Sequence, residues 1–389
     1  MFADRTHWNL SPNRLAEALA RHRDGERKLL DLTASNPTEC GFHYGEDAIL
    51  DALQQPQALC YRPDPRGLAS AREAVCDYYA ARGDSPIAAE QILLTTSTSE
   101  AYSFVFRLLC NPGDEVLIPA PSYPLFEFLA DIQDVKLTRY PLLYDHGWHT
   151  DFHALEQAVT QRTRAVIVVH PNNPTGHFLK PDEAGRLNLI CSQRGLAVLT
   201  DEVFLDFSLG IGRQASLATN QKALTFTLSG LSKIAGLPQM KLAWLIVSGP
   251  EESKREALAR LEIIADTYLS LSAPIQLAAS QFLAQRQPFQ EQLIGRVHKN
   301  LAELDSQLAH QKTCSRLEVE GGWYAVLRVP ATRPDEELAI ELLEKHDVYL
   351  HPGHFFGFPT DGYLVVSLIT PEEALSEGIR RVLSRLGGD

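Results

Sequence analysis

Lys233 stands in the run Leu228-Ser229-Gly230-Leu231-Ser232-Lys233-Ile234-Ala235-Gly236-Leu237-Pro238, after the apolar stretch Ala223–Leu228. A strongly hydrated ammonium rarely occupies so crowded a turn unless chemistry holds it there. Two upstream segments supply partners. Asn173-Pro174-Thr175-Gly176 follows the apolar run Ala165–Val169, and Asp201-Glu202-Val203-Phe204 follows Leu196–Leu199. An amide, a carboxylate and a lysine are therefore expected, in that order, at the C-terminal ends of successive buried strands. Open α/β sheets bind their ligands at that edge.

This set of groups matches the needs of pyridoxal phosphate. A lysine forms a Schiff base with the aldehyde and is displaced by an incoming amine. A carboxylate against the pyridine nitrogen keeps that nitrogen protonated. The protonated ring then takes up the electron pair left when a bond at the substrate carbon breaks. Lys233 is read as the Schiff-base lysine, Asp201 as the pyridinium partner and Asn173 as the donor to the ring hydroxyl. Each segment has a plainer reading when taken alone. Asn-Pro-Thr-Gly is an ordinary turn sequence, Asp-Glu after a strand suits a loop or N-cap, and Thr95–Ser99 suits a cap for the helix Glu100–Leu109. Tyr123 between prolines suits a packed loop aromatic. Independent turns have no reason to arrive in this order, so the cofactor reading prevails.

The chain resembles the fold-type-I pyridoxal-phosphate enzymes, and within them the class I/II aminotransferases, over nearly its whole length. The likeness is carried by Tyr61 with Pro65 and Gly67, Thr95–Ala101, Asn111–Tyr123, Asn173–Gly176, Asp201–Phe204, Ser229–Trp244 and Tyr349–Gly357. It implies that Tyr123 stacks on the cofactor ring. It implies that Thr96, Ser97 and Thr98 open a helix whose amides receive the phosphate, with Ser229, Ser232 and Lys241 completing the cup. Tyr61 would reach the phosphate of a neighbouring subunit, giving a homodimer with shared active sites. Asn36, Arg62 and His354 are expected to face the substrate. His351 and His354 are read as cleft-side loop histidines, and no metal site is expected.

Three positions depart from the family pattern. Phe204 stands where a tyrosine usually donates to the ring hydroxyl, which implies a higher proton affinity for the lysine–cofactor linkage. Lys241 replaces the phosphate-binding arginine and keeps its charge without the bidentate fork. In Gly362-Tyr363-Leu364-Val365-Val366-Ser367, Val365 occupies the place of the arginine that clamps a substrate carboxylate. Either another cation takes the carboxylate, with Arg62, Arg66 or Arg328 as candidates, or the substrate has none at that point.

The elements needed to position these groups can be read from the pattern. Strand-like runs at Glu115–Pro119, Val135–Tyr140, Ala165–Val169, Leu196–Leu199, Ala223–Leu228 and Leu242–Ser248 mostly alternate with helical segments, including Glu100–Leu109, Tyr123–Asp131, Asp151–Gln161 and Pro181–Arg194. The expected fold is α/β, a mostly parallel sheet flanked by helices, with a smaller α+β domain. Residues 46–287 are read as the large cofactor-binding domain. Residues 1–45 plus 288–389, with helices over Pro288–Gln311 and Asp335–His346 and strands around Arg316–Pro330, Val348–His351 and Tyr363–Leu368, form the small one.

With 389 residues, 44% of them hydrophobic and 22% charged, the chain has an ordinary globular balance. A net charge of −13 argues against nucleic-acid or anionic-membrane partners. No apolar run approaches the roughly 20 residues that span a bilayer, and Met1–His7 contains no signal-peptide apolar segment. Six scattered cysteines without a CxxC pair suit a reducing cytoplasm. The leading function is transamination between a small-molecule amino donor and an oxo acceptor. A lyase or cyclase on an amino acid keeps the cofactor and changes the chemistry. A non-catalytic cofactor-binding regulator is the remaining class, and the first thirty residues leave no room for a DNA-binding module.

Overall fold

The computed structural model describes residues 1–25, 27–210 and 212–387. Eight strands form its larger sheet: β1 (Ile92–Thr95), β2 (Glu115–Ala120), β3 (Lys136–Tyr144), β4 (Trp148–Thr150), β5 (Thr163–Val169), β6 (Ala197–Asp201), β7 (Thr225–Gly230) and β8 (Ala243–Ser248). Their spatial order is β1-β8-β7-β6-β5-β2-β3-β4. All run in one direction except β4 and β8. Every residue of β6, β7 and β8 is buried. Such unbroken apolar runs require cover on both faces. The helices Thr98–Leu109 and Glu251–Asp266 supply it on one side through Phe104, Val105, Leu258 and Leu261.

A second, antiparallel sheet joins β9 (Ser315–Arg316), β10 (Tyr324–Arg328), β11 (His351–Pro352) and β12 (Tyr363–Ser367) in the order β9-β10-β12-β11. A short parallel pair, Leu30–Asp31 with Val348–Tyr349, ties the N-terminal segment to it. The long helix Arg286–Leu308 leads from one sheet to the other and packs against the helix Glu372–Gly387. Among the described residues, no helix is long and apolar enough to cross a membrane.

The α/β class and the smaller second sheet are as expected from the pattern. Pro181–Arg194 and Asp335–His346 are helices over the expected spans. Three details differ. The run ending at Ser248 turns back antiparallel to β7, across a connection that holds the short helix Leu231–Ile234 and the turn Pro238–Met240. The edge strand β1 was not anticipated, since Ile92–Thr95 is only four residues long. The helix expected from Tyr123 begins at Phe126, because Pro124 disfavours helical geometry in the residue before it.

The important placement is local. β5, β6 and β7 are adjacent, so the segments that follow them emerge side by side. The loop after β5 is also held by the second sheet. Gly176 has φ +71°, and a Cβ there would lie 2.4 Å from Val319 Cγ2 and 2.5 Å from the Gly321 carbonyl oxygen. Leu209 N donates to the Glu320 carbonyl (2.7 Å), Gly322 N donates to that of Phe207 (2.8 Å), and Lys180 forms an ion pair with Glu320. Gly176→Ala should cost roughly 2–4 kcal/mol, combining left-handed strain with overpacking. Chemical denaturation would register this as a lower midpoint at unchanged slope, and an unchanged midpoint would contradict the clasp.

Candidate active site

β6 ends on Asp201, a carboxylate only 8% exposed. Its Oδ2 accepts from the Tyr102 hydroxyl at 3.1 Å and its Oδ1 from Val203 N at 3.2 Å. Burial outweighs these bonds and pushes the carboxyl up to about 6, with the Lys233 ammonium acting in the opposite sense. Asn173, beyond β5, is equally buried, and its Oδ1 has no hydrogen-bond partner. The adjacent Asn172 does the structural work of this loop, donating to the Pro121 carbonyl at 3.0 Å and to Thr175 Oγ1 at 2.9 Å. A buried amide left unsatisfied beside a fully satisfied one marks Asn173 as a binding group.

β7 leads into the short helix Leu231–Ile234, which carries Lys233. Lys233 Nζ donates to the Ser35 carbonyl at 3.4 Å. Burial drives the ammonium down to about 8, opposed by Asp201. Phe204 is 4% exposed, with its ring centroid 5.7 Å from Nζ. Lys233, Asp201 and Phe204 therefore share one pocket, with Asn173 on the neighbouring strand's loop.

The helix Thr98–Leu109 begins behind them. Ser97 is its N-cap and accepts from Glu100 N at 3.2 Å. Thr96 spends both of its donors on Glu100 Oε2, at 2.7 Å from N and 3.1 Å from Oγ1, and Ser270 Oγ adds a third contact at 2.9 Å. The amides of Ser97, Thr98 and Ser99 have no partner among the described residues, at a helix end suited to an anion. Of the remaining expected phosphate ligands, Ser229 is buried and donates to the Glu202 carbonyl at 3.3 Å. Ser232 is half-buried, and the Leu231 N to Leu242 O bond (2.9 Å) brings the exposed Lys241, at φ +50°, alongside it.

Other expected positions lie at the periphery. Tyr123 is 44% exposed and lines a 110 Å³ cavity with His354 and Arg139. Asn36 is half-buried beside the Ser35 contact and caps a short turn through Thr38. Tyr61, 82% exposed, and Arg62 line a separate 360 Å³ cavity that contains neither Lys233 nor Asp201. Arg66 is occupied by Glu262 (2.6 Å), and Arg328 lies over the Tyr144 ring at 5.5 Å. Val365 is buried and faces Val326 and His351 across the second sheet.

Tyr102 and Ser99 were not singled out from the sequence. Tyr102 stands four residues after Thr98, on the same helix face, which is the one signal that pointed to it. The unmet needs of this pocket are a cation for Asp201, a partner for Asn173, an anion for the helix amides and an electrophile for Lys233. Pyridoxal phosphate carries all four complements, so the residues present fit that group.

The profile of the family described as Aminotransferase class I and II matches residues 27–382. The chain is 28% identical over 363 residues to the glutamate-pyruvate aminotransferase AlaA of Escherichia coli K12, covering 91% of this chain and 89% of that one. It is 26% identical over 364 residues to the alanine aminotransferase of Mycobacterium bovis, covering 91% and 85%. Among solved structures, the alanine aminotransferase of Pyrococcus furiosus has the same fold, with a TM-score of 0.90 at 22% identity over 100% of both chains. An aminotransferase from Escherichia coli superposes with a TM-score of 0.88 at 24% identity, over 100% of this chain and 98% of that one. This chain therefore belongs to the class I and II aminotransferases, transferases that use pyridoxal 5'-phosphate.

Proposed function

We propose that this aminotransferase acts on an amino donor that presents no carboxylate to Val365, such as a carboxylate-free amine or an ω-amino acid. One observation carries the reading. Cross-strand partners share a sheet face, so Val365 lies with Val326 and His351, and two residues along with Tyr324 and Ser367. That face turns toward Lys233, since the Tyr324 ring meets Phe204 with centroids 6.4 Å apart. It holds no arginine or lysine at Val365 or at either of its partners; Arg328, two residues along in the other direction, is exposed and lies over the Tyr144 ring, and burial keeps His351 below its usual range. A carboxylate pressed there would lose its hydration without gaining a charge-assisted bond.

A second reading keeps the alanine or glutamate that the names of the relatives carry. Arg62 makes no ion pair among the described residues and sits beside the exposed Tyr61. In a homodimer with shared sites, Arg62 of the partner subunit would take the carboxylate while Tyr61 of the partner subunit meets the phosphate. The exposed Leu59, Tyr61, Ile263 and Tyr268 support such an association.

The roles we assign follow from the geometry. When bound, the cofactor supplies an aldehyde and a cationic ring that accepts electrons. Lys233 would hold the aldehyde carbon and, once displaced by the donor, would move the proton between the donor carbon and the cofactor. Its depressed proton affinity suits a base working near neutral pH. Asp201, oriented by Tyr102, would pair with the ring nitrogen, and Asn173 with the ring oxygen. The amides of Thr98 and Ser99, with Ser97, Ser229, Ser232 and Lys241 around them, would receive the phosphate. Tyr123 would cover the ring at the cleft mouth near His354, with Asn36 on the substrate side. Residues 46–287 and residues 1–45 plus 288–389 would act as two bodies closing on this cleft.

Full-length, cofactor-loaded protein should be mixed with α-amino acids, ω-amino acids and carboxylate-free amines while the yellow band is followed. The expected result is lasting loss of the band with the last two classes, restored by an oxo acceptor, at kcat/KM at least tenfold above alanine or glutamate. The opposite ranking favours the second reading, which Arg62→Ala would then have to abolish. Release of ammonia or carbon dioxide with the band returning unaided means lyase chemistry instead. Lys233→Ala should lower turnover by roughly a thousandfold or more.

Asp201 gives a test that reads stability. Its carboxyl is held at about 6 in the folded chain against an ordinary 3.8, so the folded state binds the proton more tightly. Its ionisation therefore costs stability that grows as pH rises from about 4 through about 6. In cofactor-free protein, Asp201→Asn should be the more stable form at pH 8, by up to roughly 3 kcal/mol, with the gap closing near pH 4. Loading the cofactor should remove that advantage, because a ring cation then compensates the aspartate. A thermal-midpoint difference indifferent to both pH and loading would refute the assignment.

A further inference from the structure

Lys233 is flanked by more than polar groups. Its Nζ stands 4.8 Å from the centroid of the Trp323 ring, closer than the 5.7 Å to Phe204. Trp323 is completely buried, with its ring edge-to-face against Phe204 at 5.1 Å and Phe207 at 5.3 Å. Its backbone is fixed on both sides. The Trp323 carbonyl accepts from Leu368 N at 2.7 Å, and Gly322 N donates to the Phe207 carbonyl at 2.8 Å. Gly321 is packed so closely that a Cβ would lie 2.5 Å from Phe178 and 2.8 Å from the Phe207 carbonyl oxygen. The indole is thus held in place by the second sheet, while the lysine it faces belongs to the first.

The indole N–H is the informative detail. Trp323 Nε1 is buried without a hydrogen-bond partner. An orphaned buried donor costs stability, because it gives up its bond to water without gaining another. If the position only filled space, phenylalanine would serve without that cost. What tryptophan offers beyond phenylalanine is the strongest cation-binding face among the side chains, and a cation lies over it.

We propose that Trp323 is a positioning residue for Lys233. With Phe204 it forms an aromatic seat, contributed by both sheets, that holds the lysine as its ammonium against the Ser35 carbonyl whenever the side chain is not bonded to the cofactor. The proposal rests on the assignment of Lys233 as the cofactor lysine. The other groups acting on Nζ are Asp201, bonded to Tyr102, and Cys40, itself near Arg296, Glu39 and Asp31. The seat offsets part of the burial that disfavours the charged amine, and it fixes the point from which the amine acts as a base.

The test compares Trp323→Phe and Trp323→Leu with the parent, all as full-length protein stripped of cofactor. The pH dependence of Lys233 acylation by an amine-selective reagent is read by peptide mass spectrometry. The proton affinity of Lys233 should fall in the order Trp, Phe, Leu, with the Leu variant roughly three- to tenfold below the parent. After reloading, the acidic limb of kcat should shift the same way, with the KM of the donor little changed. An identical titration in all three proteins, with only the thermal midpoint lowered, would reduce Trp323 to packing. A proton affinity that rises in the variants overturns the seat as well. If the Leu variant does not fold, Trp323→Phe decides, since it preserves the aromatic packing and removes the orphaned N–H. Borohydride reduction of loaded parent protein distinguishes the two levels. Failure to fix the cofactor on Lys233 defeats the assignment of the lysine, whereas the titration alone defeats the seat.

Discussion

A buried carboxylate that makes no ion pair among the described residues organises this molecule. Asp201 sits at the end of a strand buried on both faces, held by one hydroxyl and one amide, with Lys233 as the cation acting on it. Two hydrogen bonds do not replace the hydration of a carboxylate. The position persists because the surrounding sheet forces it. β6 lies between β5 and β7, and its end cannot move toward solvent without breaking ladders on both sides. The site is thus destabilised by its own fold, and ligand binding can return that free energy. This is the usual relation between a strained functional site and the scaffold that tolerates it.

The parts of this arrangement visible in the sequence were those carried by side-chain type and local order. Asn173, Asp201 and Lys233 follow unbroken apolar runs, and such runs in an alternating α/β pattern can only be interior strands. Their lateral order could then be inferred, because right-handed crossovers between successive parallel strands lay them side by side. Helix Asp335–His346 was legible from its apolar spacing and its acidic first turn. What stayed hidden depends on contacts between distant segments. Tyr102 looks like any core aromatic until the end of β6 arrives beside it. Trp323 looks like hairpin filling after two glycines until Lys233 is placed over its face. The reversal of β8 leaves no mark in its own fully buried run, and β1 is too brief to stand out. The sequence likewise does not say that Glu100 will take both donors of Thr96.

The two sheets divide the work unequally. The larger one carries Asn173, Asp201 and Lys233 just beyond its strand ends, and the smaller one supplies walls: Trp323, Tyr324, Val326 and Val365, with Ser35 from the strand-paired N-terminal segment. The family match over residues 27–382 spans both sets. Within the second set, Val365 stands buried between Val326 and His351. Relatives at 26–28% identity do not dictate what that wall accepts.

The Tyr102–Asp201 hydrogen bond has a metric consequence. Tyr102 is one turn into the helix whose opening amides stand free, so the bond fixes the separation between an anion-receiving end and a cation-receiving end. The two ends act as the jaws of a caliper set to one length. A molecule that satisfied both ends would have to match that length, which is set by a helix and a strand and not by a flexible loop.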